Sequence, residues 1–301
     1  MQTAIKLRES RVHENVTTSL RTFAISPMNY LHIGTQGWNY DAWLGGFYPR
    51  GTRAADYLPQ YVKAFDTVEI DSSFYAVPSA ASIVKWRKSA PAGFRYALKA
   101  PQAVTHEARL VDCEDVMAQF CERVRGLDVA LGTLLIQCPP DLSPRVMRAL
   151  EKFLATLPRD LRFAIEFRDR HWLLNENGDI TLDLLRTNGV ALALTDSQWI
   201  PRELTFELMQ HPAVKDAAFA YVRWLGPRSL TDYSRVQLNR DAEIAAWAQS
   251  LTTLRKSVPL IDGYFNNHFQ GHSPASANYL KRLLQMPVVE PAELIEQPSL
   301  F

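Results

Sequence analysis

The chain has 301 residues, 47% of them hydrophobic and 22% charged, with a formal net charge of +1 from 33 basic and 32 acidic side chains. This is a globular composition, not a disordered one, and a near-neutral balance excludes whole-molecule attraction to nucleic acid or to an anionic membrane. No apolar run approaches the roughly 20 residues of a membrane span, and three irregularly spaced cysteines, Cys113, Cys121 and Cys138, fit neither a disulfide framework nor a zinc site.

Residues 1–28 carry Lys6, Arg8, Glu9, Arg11 and Arg21 without a continuous apolar core, so they read as an extension before the fold and not as a secretory signal. Reduced, buried thiols and a cytoplasmic location are the expectation. From residue 29 to 301 one domain is expected, built from a repeated alternation. A β-rich run at 31–35 precedes a helical stretch at 54–65. The run 67–71 is followed by a helix at 80–88, 94–100 by 113–125, 132–137 by 144–155, and 161–168 by 182–187. The sixth run, 190–196, leads into an irregular segment, 198–214, interrupted by Pro201 and Pro212. The last two pairs are 218–224 with 242–256 and 259–266 with 274–284. Pro144 and Pro274 suit first-turn positions with Ser143 and Ser273 as caps, and Asn188-Gly189 is a helix stop.

Strands alternating with helices pair in parallel through right-handed crossovers. Eight such units close into a (β/α)8 TIM-type barrel, which removes both sheet edges. The rival, an open doubly wound sheet, calls for a Gly-rich turn after the first strand, and Gly34-Thr-Gln-Gly37 is not that motif.

Several strands alternate polar and apolar residues, although strands buried on both faces usually read as apolar runs. Val68 and Ile70 alternate with Glu69 and Asp71. Phe94, Tyr96 and Leu98 alternate with Arg95, Ala97 and Lys99. Phe163, Ile165 and Phe167 alternate with Ala164, Glu166 and Arg168. Side chains along a strand point to opposite faces with period two. The apolar set is therefore expected against the helices and the polar set inside the barrel. Buried charge must be paired or solvated, so a network is predicted: Glu69, Asp71 and Glu166 against Arg95, Lys99 and Arg168, extended by Gln137, Asp196, Tyr221, Arg223, Asn266 and Asn267. Most of these fall at strand C-termini, the end where barrel enzymes place their sites.

Clustered cations suit a phosphate or carboxylate. Lys99 reads first as an anion ligand and second as a base or amine nucleophile. Glu69 and Glu166 are the candidate carboxylates for acid–base work. The histidines show neither H-x-H nor H-E-x-x-H spacing, so no metal site is assigned, although His106, His171 and His268 all fall in loops after strands. Trp38, Tyr75, Trp199 and other loop aromatics suit a ring-bearing substrate or the packing of loops onto the mouth.

The blocks Ile33-Gly-Thr-Gln-Gly-Trp38, Val68-Glu-Ile-Asp-Ser-Ser-Phe-Tyr75, Thr105-His-Glu107, Leu135-Ile-Gln-Cys-Pro-Pro140, Glu166-Phe-Arg168 with Trp172, Tyr221-Val-Arg223 with Gly226, Tyr264-Phe-Asn-Asn267 and Pro298-Ser-Leu-Phe301 resemble the YecE-like family, domain of unknown function 72. The resemblance implies a TIM-type barrel. It points to Glu69, Lys99, His106, Gln137, Glu166, Arg168, Arg223, Asn266 and Asn267. Asp71 and Asp169 depart from its pattern, which commonly has Asn and His there. The leading expectation is an enzyme with acid–base chemistry on an anionic or polyhydroxylated small molecule. Its catalytic candidates are Glu69, Glu166, His106 and Lys99. Its binding candidates are Arg168, Arg223, Gln137, Asn266, Asn267, Trp38, Tyr75 and Tyr221. No motif specifies a cofactor. A nucleic-acid partner, by likeness to endonuclease IV-like barrels, is the second reading, with Lys85, Arg87, Lys88, Arg202, Arg228 and Arg235 as the basic rim. A ligand-binding protein without catalysis is the third.

Overall fold

An open sheet leaves an unpaired edge on its first and last strands, and here the sheet closes on itself. The computed structural model describes residues 30–294; the extension 1–28 and the motif 298–301 lie outside the described residues. Eight strands form a closed parallel barrel in chain order. They are β1 Tyr30–Gln36, β2 Thr67–Ile70, β3 Arg95–Lys99, β4 Leu131–Gln137, β5 Phe163–Glu166, β6 Ala191–Ser197, β7 Ala220–Gly226 and β8 Leu260–Phe265. Each corresponds to one predicted run. The helices around them are α1 Tyr57–Ala64, α2 Ala80–Ser89, α3 Glu114–Arg125, α4 Met147–Thr156, α5 Asn175–Asn188, α6 Arg202–Leu208, α7 Pro212–Lys215, α8 Asp241–Leu254 and α9 Ser273–Leu283.

The helices differ from expectation in three places. Helix α5 begins at Asn175, not at 182, because Asn175-Glu-Asn-Gly178 has turn-like composition but tertiary packing buries Gly178 and Thr181 with Leu182 and Leu185. The irregular segment holds two helices, and its prolines start them: Pro201 caps α6 and Pro212 opens α7. The Ser143 side chain accepts no capping bond, and Ser273 is the first residue of α9, with His272 in the cap position. The stop at Asn188-Gly189 is as read, with Gly189 in the left-handed region at φ 66°.

Period-two alternation separates two apolar compartments. Val68, Ile70, Tyr96, Leu98, Ile165 and Phe167 belong to the shell between strands and helices. Ala97, Leu135, Ala164, Ala193, Tyr221 and Tyr264 form a smaller cluster inside the barrel. The lumen's middle is therefore apolar, and its polar residues are confined to the two ends. Arg95 belongs to the N-terminal end. It shares a cleft there with His32, Arg162 and Asp262, four residues (roughly 13 Å) below Lys99 on the same strand. The expected pairing of Arg95 with the mouth carboxylates is thus corrected by distance along the strand.

Strands β1 and β2 pair only at Thr35–Val68 and Gln36–Glu69. Below that point the Tyr61 hydroxyl of α1 fills the seam, donating to Thr67 O at 3.0 Å and accepting from Thr35 N at 3.0 Å. Gly34 makes room for it, since a Cβ there would lie 2.2 Å from Thr67 O and 3.0 Å from the Tyr61 hydroxyl. Among the described residues no helix is long and apolar enough to cross a membrane. Gly34→Ala is expected to cost about 1–3 kcal/mol through overpacking at this seam, read as a lower urea midpoint with unchanged slope. A midpoint equal to wild type would show that the seam opens freely.

Candidate functional site

The C-terminal end of the lumen is organised by Arg223 of β7, which is 2% exposed. Its Nε donates to Glu69 Oε2 at 2.9 Å and its Nη2 to Glu69 Oε1 at 2.6 Å, while Nη1 donates to Glu166 Oε2. Glu69, fully buried on β2, also accepts from the Tyr221 hydroxyl at 2.5 Å. Glu166, at the end of β5, accepts at Oε1 from Arg168 Nε at 2.8 Å. Three strands on different sides of the barrel thus meet through one guanidinium. Charge-assisted, bidentate bonds of this kind are the strong ones. Burial pushes the Glu166 carboxyl up, but Arg223 and Arg168 outweigh it and hold it at about 2. For Glu69 burial wins, opposed by Arg223, and the carboxyl is raised.

Above this layer opens a cleft of about 290 Å³. Lys99, Gln137, Arg168, Arg223, Gln36 and Asn266 reach it from strand ends. The turn after β2, Ser72–Phe74, is tied to the end of β3: Ser73 Oγ accepts from Lys99 N at 3.1 Å and donates to Lys99 O at 2.7 Å. That bond sets the Phe74 ring against the Lys99 ammonium, 3.8 Å from Nζ to the ring centroid. His106, in the wide turn Ala103–Glu107, packs edge-on against the same ring at 4.9 Å, and its Nδ1 lies 2.8 Å from Thr105 Oγ1. Its Nε2 faces Gln137 Nε2 at 3.5 Å. Arg168 lies over the Trp199 ring at 4.0 Å and Arg228 at 5.8 Å. Asn266 Nδ2 donates to Gln36 Oε1 at 2.7 Å.

Burial lowers Lys99 to about 8, with Arg223 and Arg168 pressing in the same direction against Asp71 and Glu166. His106 is lowered by burial, Lys99 and Arg168, which favours the neutral imidazole.

The predicted residues divide into three groups. Lys99, His106, Gln137, Arg168, Arg223, Asn266 and Tyr75 line the cleft, Tyr75 at its rim and 74% exposed. Glu69, Glu166 and Tyr221 lie one layer beneath, with both oxygens of each carboxylate occupied by lumen donors. Asn267 and Trp38 are outside the cleft. Asn267 Oδ1 accepts from Trp43 Nε1 and from the Ser273 amide and hydroxyl, which joins the loop after β8 to α9. Trp38 packs edge-on against Trp86. Gln36 and Gln102 line the cleft without having been selected. Gln36 was legible: it continues the inward parity of Gly34, one residue past the expected end of the first run. Gln102 sits in a loop, where parity does not apply. Of the basic rim, Arg228 reaches the cleft, while Arg87 pairs with Asp128 and Arg202 with Asp196. His171 bonds Asp169, and His268 bonds Tyr233.

The family model described as a protein of unknown function, DUF72, matches residues 32–298. The chain belongs to the DUF72 family. YecE of Escherichia coli strain K12 is 25% identical over 234 residues, covering 74% of this chain and 84% of its own. YunF of Bacillus subtilis strain 168 is 24% identical over 272 residues, 85% of this chain and 95% of its own. A crystal structure of a DUF72 protein from Thermotoga maritima superposes with a TM-score of 0.70 at 24% identity, covering 85% of this chain and 99% of that one. The barrel is thus the DUF72 fold.

In this DUF72 chain Arg223→Leu strands the buried Glu69 carboxylate and leaves Glu166 with Arg168 alone, and is expected to cost about 3–5 kcal/mol at pH 7. Glu69→Gln, which keeps acceptor oxygen for Arg223, is expected to be milder. The stranded carboxyl in Arg223→Leu has a raised pKa, so the variant's deficit shrinks as the pH falls and the carboxyl takes up a proton. Urea denaturation of both variants at pH 7 and pH 5 reads this; equal, pH-independent losses would remove charge pairing from the account.

Proposed function

We propose that this DUF72 barrel is an enzyme that binds a small substrate bearing a phosphate or carboxylate group in the mouth cleft and moves protons on it with Lys99 and His106. The observation that carries this reading is the charge left facing the cleft. Glu69 and Glu166 neutralise Arg223 and Arg168 from below, so Lys99 and Arg228 face the opening against Asp71 as the one lining carboxylate among the described residues. That surplus favours an anion, and the arginines offer planar forks for it.

The volume, about 290 Å³, suits a small molecule better than a polymer. Proton transfer is assigned to Lys99 and His106 because a general acid or base must reach the substrate. Glu69 and Glu166, the carboxylates selected from the sequence, have no unoccupied oxygen toward the cleft and act on this reading as positioning residues for Arg223 and Arg168. Gln36, Gln137 and Asn266 supply neutral hydrogen-bonding groups at the floor, suited to hydroxyl or carbonyl oxygens. The paired state of Arg87 and Arg202 weighs against a continuous basic track for nucleic acid.

A lysine held at about 8 against its ordinary 10.5 costs the fold stability while it is charged. Below pH 8 both states are protonated and the cost is fully present. Between pH 8 and 10.5 only the unfolded chain keeps the proton, and the cost disappears. Lys99→Met is therefore expected to be more stable than wild type by about 1–3 kcal/mol at pH 7, with the gap closing toward pH 10. The same variant is expected to lose the rise in Tm that inorganic phosphate or a small carboxylate gives wild type. No rise in wild type with any small anion, or an equal rise in Lys99→Met, would overturn the reading.

A further inference from the structure

We infer that Lys99 is an amine nucleophile placed to form a Schiff base with an aldehyde or ketone that also carries a carboxylate or phosphate. The inference rests on the anion-binding reading of the same cleft and adds the substrate's second group. A lysine kept only for its charge is expected in an ion pair or in bulk water, and Lys99 is instead largely buried at the wall of the cleft. It is 8% exposed, its Nζ rests on the Phe74 face, and among the described residues no carboxylate oxygen comes within ion-pairing distance of it. The carboxylates whose charge reaches it are Asp71 and Glu166; Asp71 lies 3.8 Å from Arg223 Nη2, and Glu166 is already bonded to Arg168 and Arg223.

Among the described residues a second buried lysine lies over an aromatic ring and shows the contrast. Lys281 of α9 lies over Phe65 and donates to Ala64 O at 3.3 Å, away from the mouth cleft. That is a satisfied structural lysine. Lys99 instead lines the mouth cleft, with its ammonium on the Phe74 face. Arg168, Arg223 and Arg228 already supply permanent cations for an anion there. The Lys99 ammonium adds its charge to theirs, and its neutral amine adds something they cannot supply, since arginine does not deprotonate. With the group at about 8, about a tenth is neutral at pH 7.

The step balances without a redox partner. The Nζ lone pair attacks the carbonyl carbon, a C–N bond forms, and the carbonyl π electrons pass to oxygen, which takes a proton. Nitrogen gives up a proton, the hydroxyl takes another, and the C–O bond breaks to release water as the nitrogen lone pair closes the C=N bond. Ammonium and carbonyl thus become iminium and water. His106, which packs against the same Phe74 ring, lies beside Gln137 and lines the same cleft, is assigned the relay of the proton between nitrogen and the departing oxygen.

The test treats the full chain at pH 7 with glyoxylate and sodium cyanoborohydride, then maps reductive adducts by peptide mass spectrometry. Acetaldehyde is the uncharged control. Glyoxylate is expected to label Lys99 at least about tenfold faster than the exposed Lys85 and Lys88, reflecting its larger neutral fraction. Inorganic phosphate is expected to protect Lys99 alone, and acetaldehyde to show a much smaller preference. The site is read in wild type, so the result does not depend on a variant folding. Labelling no faster at Lys99 than at surface lysines, while phosphate still raises Tm, overturns the nucleophile and leaves the anion site standing. Absence of both the preference and the Tm rise overturns both.

Discussion

One buried guanidinium sets the mouth of this barrel. Arg223 takes a carboxylate from β2 and a carboxylate from β5, and Glu166 passes the constraint on to Arg168. An uncompensated charge at this depth would cost several kcal/mol, so the strands bearing these groups are held in mutual register wherever the pairs persist. The cleft floor inherits that rigidity. Gln137 lies opposite Glu166 in the β4–β5 ladder and Gln36 opposite Glu69 in the β1–β2 ladder, so the neutral hydrogen-bonding groups stand beside the ion-paired ones.

The division of labour follows from which lone pairs and protons are spent. The carboxylates have used theirs on arginine, and Arg168 has in turn been laid on Trp199. Lys99 has not, because the Ser73 bond to its backbone fixes the strand end while Phe74 offers its ammonium only a ring face. A ring face is a weak substitute for water, and the result is a group that destabilises the fold slightly while charged. Strained or desolvated groups of this sort persist where function needs them.

The opposite end of the lumen carries polar groups as well, with a different character. His32 bonds Asp66 at 2.9 Å, and Asp262 accepts from Thr133 at 2.9 Å. Between the two polar ends lies the band of alanine, leucine and tyrosine that closes the interior. Tyr264 reaches from this band to Thr67 at 2.8 Å and Tyr221 to Glu69 at 2.5 Å, so the band's own hydroxyls are satisfied by its neighbours.

Much of this was open to reading in the chain itself. Alternating Val68-Glu69-Ile70 and Phe163-Ala164-Ile165-Glu166 assigned faces without coordinates, because successive side chains on a strand must diverge. The count of eight units implied closure, because an open edge of that length is unstable toward pairing. Parity therefore determined which residues face inward. It carried no information about height along the axis or about where lone pairs end up. Arg95 and Lys99 share a parity yet stand at opposite ends, and Glu69 lies one layer beneath Lys99 and is consumed by Arg223 while Lys99 is not. Asn267 was expected at the mouth and instead ties a loop to α9. Those outcomes depend on strand stagger and on contacts between residues more than a hundred positions apart, such as Glu69 with Arg223. Only the closed barrel brings these groups within bonding distance, and only there does the competition for hydrogen bonds leave Lys99 and Arg228 facing the cleft.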